Sequence, residues 1–238
     1  MKIKCVLFDL GGVVFSSPIG RLAKLEKRFG ITHNALNRYI MNSKSWKDLE
    51  RGLIGPEQFV RYRYDDELKG TTEGVESNLR KVTGADVMGA IASPDANVPR
   101  DAMKEALRTL RKHGIKTVAL TNNFKSSDTD GNAISGMVVA SQPLFDDVLE
   151  SSKIGMRKPS VGIYEYACSA SKCSPDEMVF LDDIGANLKP AKAIGMRTIR
   201  VMVDDEQGVQ ALLKLEKVVG IQPLFQSFRP PATMDAKL

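Results

Sequence analysis

Short apolar runs, often β-branched, alternate along this chain with longer stretches whose apolar positions recur every three to four residues. That alternation predicts an α/β fold built on a parallel sheet. Candidate strands fall at residues 3–8, 117–120, 148–150, 178–181 and 198–203. The first and fourth are nearly unbroken apolar runs, as expected of strands covered on both faces. Residues 101–113 carry Met103, Ala106, Leu107 and Leu110 at helical spacing and stop at Gly114. Residues 186–194 and 209–218 read as further helices, closed by Gly195 and Gly220.

Between the first two strands the alternation breaks. Residues 16–97 read as helical throughout: Ser17-Pro18 is an N-cap followed by a first-turn proline, and Leu22, Leu25 and Phe29 form a stripe. Gly30, the turn at 52–56 and Gly70 punctuate further helices. A crossover of this length exceeds an ordinary βαβ connection, so 16–97 is expected to be a helical cap inserted after the first strand. Residues 1–15 and 98–222 then form one Rossmann-like core. The end, 223–238, holds Pro223, Pro230 and Pro231 without periodicity and is expected to be a tail.

A chain of 238 residues can bury a core of one large or two modest domains. The net charge of +5 is small for this size, and Lys and Arg are scattered, so a solvated surface is expected and no nucleic-acid partner. Cys5, Cys168 and Cys173 are odd in number and lack CxxC or His spacing, which argues against disulfides and zinc. No apolar stretch approaches membrane-spanning length, and the first strand starts almost at Met1, leaving no room for a signal peptide. The expectation is a cytoplasmic chain without a membrane partner, monomeric or homodimeric.

Four chemical signals sit just past β-like runs, where open parallel sheets bind ligands. Asp9 precedes Gly11-Gly12; a carboxylate there can attack phosphorus, bind a cation, or merely cap a turn. Thr121-Asn122-Asn123 suits the oxygens of a phosphoryl group, and equally a polar turn. Lys158, followed by Pro159 as a helix start, can neutralise both a carboxylate and a phosphate, while Lys153 and Arg157 read as a solvated loop. Asp182-Asp183 are adjacent carboxylates that repel each other unless a cation compensates; oxygen-only ligands point to magnesium, with Asn187 as a hydrogen-bonding support, and an acidic N-cap as the alternative.

The remaining features carry less. Asp65-Asp66, Asp146-Asp147 and Asp204-Asp205 read as solvent-facing, and the acidic run at 128–132 as a polar turn rather than a calcium loop. Trp46, Tyr62 and Tyr64 read as packing within the cap, with one of them a candidate for the substrate mouth.

In order, FDLGGVV, LTNN, GMRKP and FLDDIGAN resemble the haloacid dehalogenase superfamily. The likeness extends over nearly the whole chain outside the tail and is strongest to the N-terminal, phosphatase-type domain of soluble epoxide hydrolases. SKIGMRKP at 152–159, FLDDIGANLKPA at 180–191 and LEKVVGIQ at 215–222 carry it; similar domains open some multidomain acyl-CoA dehydrogenases. The resemblance implies Asp9 as nucleophile and magnesium ligand, the Gly11 carbonyl as a second ligand, and Thr121, Asn122 and Lys158 as the phosphoryl-holding set. It also implies Asp183 as a magnesium ligand with Asp182 beside it, and a small phosphorylated metabolite as substrate.

One position departs from the pattern. Family phosphatases commonly carry aspartate two residues after the nucleophile, where it protonates the leaving alkoxide and then activates water; here that position is Gly11, as in some other branches of the family. Positioned acid–base catalysis is worth roughly 10²–10⁴-fold, so alkyl phosphates should suffer most. The expectation is a weak or specialised magnesium-dependent phosphatase working through an aspartyl-phosphate. A catalytically impaired binding or regulatory module is the alternative, and a true haloacid dehalogenase a third, disfavoured by the metal that Asp182-Asp183 implies. Epoxide opening is not expected, since no second catalytic domain follows residue 222.

Overall fold

The computed structural model describes residues 2–17, 19–70, 76–91, 98–124 and 136–230, the side chains of Ile19, Tyr62 and Arg63 excepted. Pro18, the acidic run at 128–132 and the last residues of the expected tail lie outside the described residues. Strands β1 (Cys5–Phe8), β2 (Lys116–Thr121), β3 (Asp147–Glu150), β4 (Met178–Asp182) and β5 (Arg197–Arg200) form one parallel sheet ordered β3-β2-β1-β4-β5. Every expected strand is present. β5 is shorter than expected: Val201 still donates to the Asp182 carbonyl, but β4 ends there, so Met202 and Val203 are beyond its register and exposed.

Among the described residues of the first crossover the α-helices are α1 (Ile19–Phe29), α2 (Ala35–Asn42), α3 (Lys44–Glu50), α4 (Pro56–Gln58), α5 (Tyr64–Gly70) and α6 (Gly84–Ile91), with a π-helical turn at Phe59–Arg63 and a 3-10 turn at Ser77–Lys81. Further on come α7 (Asp101–Lys112), α8 (Gly136–Ser141), α9 (Ser151–Ile154), α10 (Val161–Ser171), α11 (Gly185–Ala193) and α12 (Val209–Val219). α7 ends at Gly114 and α12 at Gly220, both with positive φ, a conformation that costs glycine least. Among the described residues no helix is long and apolar enough to cross a membrane.

Alternation along the strands sorts the core into two layers. Val6 and Phe8 face a cluster with Ala106, Leu110, Leu212 and Leu215 from α7 and α12. Cys5 and Leu7 face the other way, onto Tyr164 and Ala167 of α10 and Ala191 of α11. Helices α1–α6 enclose a third cluster of their own, including Leu22, Leu36, Leu49, Phe59, Tyr64 and Val87.

Residues 223–230 differ from the expected tail. Leu224 and Phe225 are buried in the α7–α12 layer, the Leu224 N–H donates to Glu216 Oε1 at 2.7 Å, and Arg229 pairs with the same carboxylate. Missing periodicity here reflects irregular backbone, not lack of burial.

Candidate functional site

β1 lies between β2 and β4, so chain connections diverge on either side of it and open a crevice at the carboxyl edge. Asp9 follows β1, Thr121 ends β2, and Asp182 ends β4 with Asp183 next. Lys158 reaches in from the segment between α9 and α10. Its Nζ lies 2.8 Å from Asp9 Oδ1 and 2.8 Å from Asp182 Oδ2, bridging two strand ends. Asp9 Oδ1 also accepts the Leu10 N–H at 2.7 Å. Asp9, Asp182 and Asp183 each present an oxygen within 4.8 Å of the others.

Three buried carboxylates share one ammonium, a net excess of two negative charges; Lys158 contacts Asp9 and Asp182, and among the described residues Asp183 has no ion pair. Burial pushes the Asp9 carboxyl up to about 7, with Asp182 and Asp183 adding repulsion and Lys158 pulling the other way. Burial likewise lifts Asp183 to about 6, with Asp182 as the second cause. Burial alone lowers the Lys158 ammonium, but Asp182 and Asp9 outweigh it and hold the group above its ordinary value.

The two adjacent aspartates play different parts. Asp182 is committed to protein donors: Oδ2 accepts from Lys158 and Asn187, Oδ1 from Asn187 and the Ile184 N–H. Asn187 is in turn fixed by the Tyr164 hydroxyl, which donates to its carbonyl at 2.6 Å. Asp183 Oδ1 is buried without a partner. Its other oxygen occupies space that only a glycine at 12 leaves open, since a Cβ there would lie 2.2 Å from Asp183 Oδ2. An orphaned carboxylate oxygen, a second carboxylate within reach and uncompensated negative charge fit a hard divalent cation such as magnesium.

The structure brings the predicted residues together and refines three of them. Thr121 is buried and lines the same cavity as Asp9. The Asn122 side chain is turned onto Lys158: its Nδ2 donates to the Lys158 carbonyl at 3.0 Å and its Oδ1 accepts the Lys158 N–H at 2.8 Å. Asn187 supports Asp182 rather than Asp183. Pro159 is outside α10, whose N-cap is Ser160.

Arg157 is a correction. It is not part of a solvated loop but is buried, with Nε donating to Glu50 Oε2 at 2.5 Å. Burial raises the Glu50 carboxyl even with the guanidinium opposite it. Sequence carried no signal for this pair, because the partners are 107 positions apart on different elements. Lys153 does remain exposed, paired with Glu150.

Above these groups opens a cavity of 440 Å³. Its floor holds Asp9, Gly11, Thr121, Lys158 and Asp183; its walls are largely apolar, with Leu22, Ile40, Met41, Trp46, Ile91, Phe124 and Val138. Glu50 and Arg200 also line it, neither picked out from the sequence. Of the three candidate aromatics Trp46 reaches this wall and Tyr64 is packed inside the helical cluster, while the Tyr62 side chain lies outside the described residues.

Comparison with known proteins places this arrangement in context. The sequence profile of the haloacid dehalogenase-like hydrolases matches residues 3–195. Bifunctional epoxide hydrolase 2 of Sus scrofa is 31% identical over 99% of this chain and 42% of its own length. The chain thus spans about two fifths of the length of the epoxide hydrolases it matches. The sesquiterpene phosphatase astK of Aspergillus oryzae is 29% identical over 91% of this chain and 97% of that protein. Among solved structures, an enzyme of the same broad family from Bacteroides thetaiotaomicron, bt-2542 in complex with magnesium and inorganic phosphate, superposes with a TM-score of 0.52. It is 19% identical, covering 84% of this chain and 95% of that one.

Proposed function

Since the chain belongs to the haloacid dehalogenase-like hydrolases, we propose that it hydrolyses phosphoric monoesters with magnesium, through an aspartyl-phosphate on Asp9. One observation carries this reading: a buried carboxylate nucleophile, its lysine counter-ion and the orphaned Asp183 oxygen meet at the floor of one cavity. Asp9, Asp183 and the Gly11 carbonyl would hold the metal, which when bound neutralises phosphoryl oxygens. Asp182 is the anchor of Lys158 and Asn187.

Chemistry by the chain's own groups follows. A free oxygen of Asp9 forms a bond to phosphorus while the ester P–O bond breaks, and the alcohol oxygen leaves with the electron pair. Lys158 stays protonated, favouring the ionised form of Asp9 against its burial and holding a phosphoryl oxygen together with Thr121. Asn122 keeps Lys158 in place. With Gly11 at the usual acid position, the departing oxygen takes its proton from water, which favours aryl or acyl phosphates. Water then attacks the phosphoryl group on Asp9 and releases inorganic phosphate.

Helices α1–α6 act as a cap over the crevice, and their apolar wall suits a small phosphate ester whose alcohol part is a hydrocarbon. The relative whose name describes a sesquiterpene phosphatase is in keeping with that wall.

Gly11 is the observation that favours a second reading, a binding module without turnover. An aryl phosphate with magnesium separates the two. Hydrolysis that disappears in Asp9→Asn supports the enzyme; equal rates in both proteins, together with retained phosphate binding, support the module.

A further inference from the structure

Glu50 is gripped twice by the same segment of chain. Its carboxylate accepts from Arg157 Nε at 2.5 Å, and its main-chain carbonyl accepts from Ser151 Oγ at 2.7 Å. Both contacts are buried and start from α3, in the helical cluster: one reaches Arg157 in the loop that carries Lys158, the other Ser151 at the start of α9, the helix before that loop. Ser151 Oγ also receives the Asn123 N–H at 2.9 Å. Asn123 follows Asn122, whose amide holds the Lys158 backbone at both ends. Lys158 follows Arg157. The contacts therefore close into a ring: Glu50 to Arg157, along the chain to Lys158, across to Asn122, along to Asn123, across to Ser151, and back to Glu50.

We propose that Glu50 is a positioning residue: with Arg157 it forms a clasp that seats α1–α6 on the sheet edge and holds Lys158 in register with Asp9. The role in turnover rests on the phosphatase reading above; the clasp itself does not. Burying two charges is costly, and an apolar pair would hold the seam as well or better. What the ion pair adds is direction, because a guanidinium fixes its partner's angle as well as its distance. Apolar contact across the same seam, such as Trp46 on Phe124 with ring centroids 6.0 Å apart, leaves sliding free. Arg157 cannot move without its neighbour Lys158, so unseating the helices disturbs the ammonium facing Asp9. A displacement of about 1 Å at such a group costs on the order of 10²-fold in rate.

Two measurements test the clasp. The chain has a single tryptophan, Trp46, on the same helix as Glu50, so its quenching by acrylamide reads the seating without any turnover. Glu50→Gln and Arg157→Met should each raise quenching, with the folded circular-dichroism spectrum kept. On an aryl phosphate each should lower kcat by about tenfold to hundredfold. The double variant should be no worse than the poorer single, since both remove one contact. Arg157→Lys, which keeps the charge without the fork, should recover part of the loss, and it serves if a single charge removal prevents folding.

Losses that multiply in the double variant, or quenching unchanged in all variants, overturn the proposal. So does a loss confined to alkyl phosphates, which would make Glu50 a proton donor instead. An unaltered protein with no turnover sinks the phosphatase reading but leaves the quenching test in force.

Discussion

Gly12 gives Asp183 its room. A Cβ on Gly12 would fall 2.2 Å from Asp183 Oδ2, and the backbone there has φ +85°, which side-chain-bearing residues rarely adopt. Gly12→Ala should therefore cost about 1–3 kcal/mol in stability. It should also push Asp183 off its position and weaken magnesium binding. Calorimetric titration with magnesium on the folded variant checks this; unchanged affinity would mean that Asp183 does not hold the ion.

Asn122 should act through Lys158 rather than on substrate. Asn122→Ala leaves the Lys158 N–H and carbonyl without their partners, a loss of about 1–3 kcal/mol. Urea unfolding should show that loss, and kcat should fall further than KM rises. A variant that changes KM alone would place the Asn122 side chain on the phosphoryl group.

Magnesium should stabilise the protein more at high pH than at low. The Asp9 and Asp183 carboxyls lie above their ordinary 3.8, at about 7 and about 6, so between those limits the folded chain holds more protons than the unfolded one. Without metal, the stability these two groups contribute is fully present below their unfolded value and is lost as pH rises through about 6 to 7. Magnesium binds the ionised forms and offsets that loss. Thermal melts with and without magnesium between about pH 5 and 8 should diverge as pH rises, and Asp183→Asn should flatten the divergence. A magnesium shift independent of pH would contradict the assignment.

Gly11→Asp should restore a proton donor at the cavity floor. Alkyl-phosphate turnover should rise, by at most roughly 10²–10⁴-fold, while aryl-phosphate turnover moves little. No rise would mean that another group already supplies the proton.

The sheet was legible because its strands are short apolar runs, often β-branched, set between longer helical stretches and polar turns, so all five could be located within a few residues. Asp9, Thr121 and Asp183 could be placed together because strand ends in a parallel sheet share one edge, whereas Lys158 reaches that edge from the segment between α9 and α10. What the sequence concealed depends on distance along the chain. Arg157 reads as solvated until Glu50 is brought against it, and Leu224 and Phe225 read as tail until Glu216 accepts the Leu224 N–H and both side chains pack into the core. Asn122 lines the cavity, but its amide faces the Lys158 backbone rather than the phosphoryl group expected of it, a direction that residue type alone does not fix.

The central claim is that Asp9 takes the phosphoryl group. Acid-quenching the protein within its first turnover of an aryl phosphate, followed by peptide mass spectrometry, reads this directly. The account predicts a phosphorylated peptide spanning Asp9 that forms only with magnesium and is absent in Asp9→Asn. Release of phosphate with no such peptide, or a phosphorylated peptide that persists in Asp9→Asn, would contradict it.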